Sequence, residues 1–129
     1  MQPFSTHYGR ADLTDESIDY FVGNVLSQAL NTLTEQIRRG LFFSSTNNLE
    51  EEATFDALVE KLTAQFAAEL PAIRALIVSD ICAAMSGDLA AMSISEILIC
   101  YPGISAVIHY RIAHTLYELG ATVIGKIHF

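Results

Sequence analysis

The chain has 129 residues, of which 51% are apolar and 17% charged, so it fits one domain with a single hydrophobic core and is not intrinsically disordered. Its net charge of -8 repels both nucleic-acid phosphates and anionic lipid headgroups, so neither is an expected partner. The apolar content is high for a small soluble monomer. We therefore expect part of the surface to meet a protein partner.

Cysteine usage and the absence of targeting signals point to one compartment. Cys82 and Cys100 form neither a CxxC motif nor a Cys/His cluster at metal spacing, so no disulfide scaffold or structural zinc site is predicted. The N-terminus lacks the basic and apolar regions of a secretory signal. The longest uncharged stretch, residues 97–110, is too short to span a bilayer. We expect a soluble protein in the reducing cytoplasm.

The clearest predicted element is a helix that begins after Thr14 and ends at Gly40. Thr14 suits the N-cap, Arg38 and Arg39 suit the negative end of the helix dipole, and Gly40 suits the C′ position. Residues 1–13 are expected to form a flexible arm. The apolar residues recur at the spacing of a 3.6-residue turn; they are Ile18, Phe21, Val22, Val25, Leu26, Ala29, Leu30, Leu33 and Ile37.

Two more helices are predicted in the middle of the chain. Asn48 and Glu51 resemble a capping box that starts the second helix. Pro71 disfavours helical geometry at Leu70, so we expect a break or a kink there and a third helix that ends at Gly87. The apolar stripes of the two helices comprise Phe55, Leu58, Val59, Leu62, Phe66 and Leu70, and then Ile73, Leu76, Ile77, Ile81 and Met85.

The last third of the chain predicts a short helical segment and a final helix. The short segment starts at Ser93 and stops before Pro102, and the final helix runs up to Gly120. No segment shows the alternation of a strand. The sequence therefore predicts an all-α bundle of about five helices, a single domain over residues 1–129, with residues 121–129 as a connection to a further element.

Motifs that carry chemistry are scarce. Neither GxGxxG, GxxxxGK[ST] nor GxSxG occurs, so no nucleotide loop or serine nucleophile is assigned. His109 and His114 lie about 140° apart around a helix and cannot easily share a metal. His114 and Glu118 have a spacing that suits acid–base work but also an ordinary helix pair, which we favour. The residues alone indicate an acidic helical interaction module and name no reaction.

Three ordered motifs between residues 86 and 120 resemble the end of the N-terminal helical domain of serine O-acetyltransferases. They are Gly87-Asp88-Leu89-Ala90, Tyr101-Pro102-Gly103 and Tyr110-Arg111-Ile112-Ala113-His114. The helices upstream, with Ser79-Asp80-Ile81, resemble that domain more weakly. In this family the helical domain precedes a left-handed parallel β-helix of hexapeptide repeats, which holds the acetyl-CoA site and the catalytic histidine. No such repeat occurs in this sequence.

The resemblance implies that a complete enzyme transfers acetyl from acetyl-CoA to the hydroxyl of L-serine, the committed step of cysteine biosynthesis. This segment is then inactive alone, with no catalytic residue, cofactor site or metal ligand of its own. It is expected to form homo-oligomers through apolar helix faces. Asp88 matches a substrate-binding aspartate of the family and is expected to contact L-serine.

Alternative interpretations remain open at this point. Leu89 stands where the family usually has proline, and Asp88 in such a turn also acts as a plain cap. For the whole chain, the alternative is a stand-alone acidic helical oligomerisation or interaction module without enzymatic activity. A third interpretation is a helical regulatory or ligand-binding module with a pocket at residues 101–114.

Overall fold

The computed structural model describes residues 15–44 and 52–122, which form four α-helices. The helices are α1 (Asp15–Ser44), α2 (Glu52–Gly87), α3 (Ile94–Cys100) and α4 (Pro102–Glu118). No strand occurs in these two ranges, which confirms the all-α prediction. The expected number of about five helices is too high by one for the described residues.

The missing fifth helix is explained by α2, which continues through Pro71. Of the two predicted possibilities at Leu70, a break or a kink, the break is therefore wrong. Proline removes one backbone hydrogen bond from a helix interior, but the apolar residues on both sides of Pro71 stay in one helical register. Phe66 and Ile73 lie in the same buried cluster, and burial of both side chains offsets the lost hydrogen bond.

Helix α1 also extends past its predicted end at Gly40, to Ser44. Leu41 packs against the core directly after the glycine, so the helix gains apolar contact by continuing. The expected N-cap Thr14, the arm at residues 1–13, the Asn48 and Glu51 capping box and most of the 121–129 connection lie outside the described residues.

The larger hydrophobic cluster joins α1, α2 and the end of α4. Its buried residues are Ile37, Val59, Leu62, Phe66, Ile73, Leu116 and Ala121. Helices α1 and α2 are antiparallel, since Arg38 pairs with Asp56 and the Thr34 hydroxyl donates to Thr63 Oγ1 over 3.2 Å. This cluster fixes the first and last helices against α2.

A smaller cluster lies at the other end of the bundle. Ile81 of α2, Ile97 of α3 and Ile104 of α4 are buried there, and the half-buried Tyr101 packs against them. Next to this cluster, Arg111 of α4 forms a bidentate ion pair with Asp80 of α2, with N···O distances of 3.1 and 3.0 Å. This ion pair thereby joins α2 to α4.

The predicted ends of α2, α3 and α4 are confirmed. Helix α2 ends at Gly87 and α3 starts after its N-cap Ser93. Past α4, Gly120 has a φ of 102°, and the Ala121 N–H donates to the Leu116 carbonyl over 2.9 Å. This is a Schellman motif, which requires a left-handed residue and so explains the glycine.

Two further findings concern membrane-spanning helices and the cysteines. None of the helices in the described ranges is long and apolar enough to cross a membrane. Cys82 and Cys100 are free and exposed.

Candidate functional site

The candidate site is the turn that follows α2 and centres on Asp88. The Asp88 N–H donates to the Ala84 carbonyl over 3.1 Å, and the Asp88 carbonyl accepts from the Ala91 N–H over 3.2 Å. The backbone at Asp88 is therefore tied to the last turn of α2 and to the loop that follows. The residue is half-buried, so its side chain is both supported by the fold and reachable from solvent.

Each oxygen of the Asp88 carboxylate accepts one hydrogen bond. Oδ1 accepts from the Ala90 N–H over 2.9 Å, and Oδ2 accepts from the hydroxyl of Tyr101. These bonds, that from Tyr101 first and that from Ala90 second, hold the pKa of Asp88 below its ordinary value. A carboxylate has about four acceptor positions, so Asp88 can still accept hydrogen bonds from a ligand.

Tyr101 connects α3 to α4 and reaches back to Asp88. Its extended backbone caps both helices, with the N–H donating to the Ile97 carbonyl over 3.3 Å. The hydrogen bond to Asp88 is the main cause that raises the pKa of Tyr101 to about 12. The tyrosine therefore stays protonated and remains a hydrogen-bond donor at any physiological pH.

The loop between Asp88 and α3 is fixed by a capping interaction. The Ser93 hydroxyl oxygen accepts from the Glu96 N–H over 3.1 Å, and the Glu96 carboxylate accepts from the Met92 N–H over 2.8 Å. Such reciprocal bonds satisfy backbone donors at a helix start. The segment that carries Asp88 is thus held at both ends, by α2 and by α3.

Large apolar side chains in this turn, in the loop after it and on α3 face solvent. Leu89 is 104% exposed, Met92 89% and Ile99 80%, and Ile94 and Leu98 are exposed as well. Single exposed apolar residues are ordinary, but a group of them marks an interaction surface. We call these five residues the α3 patch.

A second exposed apolar surface lies on α1. The first half of the predicted stripe is exposed, whereas its second half packs in the core around Ile37. We call the exposed half the α1 face; it consists of Ile18, Phe21, Val22, Val25 and Leu26.

The other candidate residues form surface or structural contacts. His114 and Glu118 pair over 3.3 Å, and the His114 ring stacks on Tyr110 with a centroid distance of 5.6 Å. The His114 and Glu118 side chains are 50% and 66% exposed, which favours the ordinary helix pair. In the described ranges, no three His, Cys, Asp or Glu side chains meet as a metal site requires.

A groove of about 460 Å³ opens between α1 and α4. Its floor is apolar, with Leu33, Ile112 and Leu116 among the lining residues, and His109 stands at its side. The His109 Nδ1 lies 2.6 Å from the Ser105 carbonyl oxygen. Only part of the 101–114 segment lines this groove, and Tyr101 does not.

The sequence predicted Asp88 as a site residue but not its contact with Tyr101. Asp88 and Tyr101 belong to two separate motifs 13 residues apart, and the structure joins them through one hydrogen bond. The third motif is tied to α2 by the pair between Arg111 and Asp80. The signal was present, because each contact joins two of the segments on which the family resemblance was based.

Comparison with known proteins agrees with that resemblance. No protein-family profile matches the chain. A curated protein of Synechococcus elongatus, described as "Serine acetyltransferase, plasmid", is 46% identical over 127 residues. The match covers 96% of this chain and 40% of the relative, so the chain spans less than half of that protein's length. Over nearly its whole length the chain is thus similar to a part of a serine acetyltransferase, which confirms the resemblance seen in the three motifs.

Proposed function

We propose that this chain is the helical part of a serine O-acetyltransferase, in which it assembles protomers and completes the pocket for L-serine. The complete enzyme transfers acetyl from acetyl-CoA to the serine hydroxyl, and the helical part is inactive alone. The observation that carries the proposal is the 46% identity over 127 residues to a serine acetyltransferase. The two exposed apolar surfaces and the Asp88 turn support the division of roles.

The pocket role falls to Asp88. L-Serine offers an ammonium group and a hydroxyl, both of which donate hydrogen bonds, and a carboxylate with unused acceptor positions suits either. Leu89 of the α3 patch directly follows Asp88 in the chain, and both Leu89 and Met92 are nearly or fully exposed. Exposed apolar side chains beside the Asp88 carboxylate favour a serine pocket that is completed when another part of the protein covers them.

The assembly role falls to the α1 face. Phe21 is 61% exposed and Val22 55%, and the face is one half of a stripe whose other half is core. A second copy of the same face buries such a surface with the two-fold symmetry that is commonest in homo-oligomers. We therefore propose that helical parts associate through α1.

The catalytic proposal is tested in a chimera. Residues 1–129 replace the matched 40% of the Synechococcus relative, and serine-dependent release of thiol from acetyl-CoA is measured. We expect activity from the chimera and none from the 129-residue chain alone. A folded chimera without activity would overturn the proposal, as would activity of the isolated chain above the buffer control.

The assembly proposal is tested on the 129-residue chain by sedimentation equilibrium at tens of micromolar, where associations of about -6 to -8 kcal/mol are visible. Val25→Glu places a charge on the α1 face and should shift the chain towards monomer. Asn24→Glu is the matched control, because residue 24 lies about 130° from the centre of the face. A wild-type chain that is only monomeric, or equal association of both variants, contradicts the proposal.

The same experiments address the alternative of a stand-alone interaction module. Self-association through α1 together with an inactive chimera is the result that selects it. Activity of the chimera excludes it.

A further inference from the structure

We propose that Tyr101 is a positioning residue for the Asp88 carboxylate in the recognition of L-serine. This inference rests on the proposed function, since it assumes that Asp88 contacts the substrate. Tyr101 acts through Asp88 and is given no role in the acetyl transfer itself. The hydrogen bond from the Tyr101 hydroxyl to Asp88 Oδ2 carries the inference.

The two bonds to the carboxylate restrict its rotation. One donor, the Ala90 N–H, belongs to the turn that carries Asp88, and the other comes from Tyr101, 13 residues away. A single donor leaves a carboxylate free to pivot about the bonded oxygen. With one donor on each oxygen, the unused acceptor positions of Asp88 point in fixed directions, as a preorganised binding group requires.

Tyr101 is itself held by the packed end of the bundle. Its ring packs against the cluster of Ile81, Ile97 and Ile104, and its carbonyl accepts from the Ile104 N–H over 3.1 Å. The direction of the hydroxyl is therefore set by three helices and not by a mobile side chain. In this way the core of the bundle determines where the Asp88 carboxylate points.

The charges of the donors also suit Tyr101 to orient the Asp88 carboxylate. Asp80 is neutralised by Arg111, whereas the two donors on Asp88 are a phenol and a backbone amide. Neutral donors orient a carboxylate without cancelling its charge. Glu96 and Cys100 face Tyr101 and, like Asp88, raise its pKa, so the phenol keeps its proton and the negative charge stays on Asp88 for the serine ammonium.

The kinetic test uses Tyr101→Phe in the chimera, a change that keeps the ring and removes the hydroxyl. We expect kcat/KM for serine to fall about tenfold, mainly through KM for serine, with KM for acetyl-CoA and the oligomeric state unchanged. The double variant with Asp88→Asn should lose little more than Asp88→Asn alone, because both changes affect one carboxylate. Tyr117→Phe is the matched control, about 24 Å away along α4.

A second measurement follows Asp88 without any reaction. In the 129-residue chain, whose helices bury two clusters of their own, the Asp88 carboxyl carbon is titrated by NMR. Tyr101→Phe should raise the pKa of Asp88 towards its ordinary value of 3.8, and Tyr117→Phe should leave it in place. An unchanged pKa overturns the inference.

The two measurements separate the inference from the proposed function. If Asp88→Asn impairs serine use but Tyr101→Phe does not, Tyr101 is a structural residue only and the pocket role of Asp88 stands. If neither variant changes kcat/KM for serine, the pocket role of Asp88 fails and the inference fails with it. Loss in both variants, with a raised pKa in Tyr101→Phe, supports both.

Discussion

Replacement of Asp88 by asparagine separates a substrate contact from a turn cap. The structure indicates how the asparagine fits. Its amide oxygen can still accept from the Ala90 N–H, as Asp88 Oδ1 does over 2.9 Å. Its amide nitrogen can donate to the Tyr101 hydroxyl, because a phenol both donates and accepts. The turn should therefore survive, and the change that remains is the loss of the negative charge.

The size of the kinetic effect follows from that charge. A hydrogen bond between a carboxylate and an ammonium or hydroxyl group is charge-assisted and is worth clearly more than a neutral one. Its loss should lower kcat/KM for serine in the chimera by roughly 10- to 150-fold. KM for acetyl-CoA should be nearly unchanged, since that substrate is assigned to the other part of the enzyme.

The assay is the initial rate of thiol release at varied serine and saturating acetyl-CoA. The melting temperature and the oligomeric state of the variant are measured alongside, and both should match the parent chimera. If Asp88→Asn kept the parent value of kcat/KM for serine, the substrate role would be refuted. Asp88 would then be a cap at the end of α2 and nothing more.

Three further predictions concern stability. Ile97→Ala should lower the free energy of unfolding in denaturant by about 2–5 kcal/mol, because Ile97 is 0% exposed. Ile99→Ala, on the same helix but at an 80% exposed position, should change it by about 0.5 kcal/mol or less. Equal effects of the two variants would contradict the burial of Ile97 in the smaller cluster. Pro71→Ala should raise the free energy of unfolding by up to about 3 kcal/mol, and a loss of stability would show that α2 needs the proline. The pKa of Tyr101 is raised from 10.0 to about 12, so the folded chain keeps a proton that the unfolded chain loses, and stability should fall as pH rises from 10 to 12. Absorbance of phenolate and thermal melts check this, and a Tyr101→Phe variant with the same decline would refute it.

Sequence patterns predicted the helices well where periodicity and end signals agreed. Ser93, Gly87 and Gly120 each combine a local conformational preference with the end of an apolar stripe, and all three mark helix boundaries in the structure. The rule that proline disfavours a helix interior is also local, but at Pro71 it conflicted with the helical spacing of the apolar residues. Phe66 and Ile73 are seven residues apart, two helical turns, and this unbroken register was the better guide.

The candidate site was predictable only in part, for a physical reason. The turn-forming Gly87 and the charge of Asp88 are local features and can be found along the chain. The contact with Tyr101 depends on how α3 and α4 pack on α2, which no local pattern specifies. The same holds for Arg111 and Asp80, which are 31 residues apart in the chain.

Three partly exposed aspartates in this bundle have hydrogen-bond partners of different kinds. Asp56 pairs with Arg38, and Asp80 pairs with Arg111; each ion pair joins two helices and leaves little charge for a ligand. Asp88 receives a phenol and a backbone amide instead. Either kind of partner orients a carboxylate, but only neutral donors leave its full charge in place. Among these three side chains, Asp88 is therefore the one suited to bind the ammonium group of an amino acid.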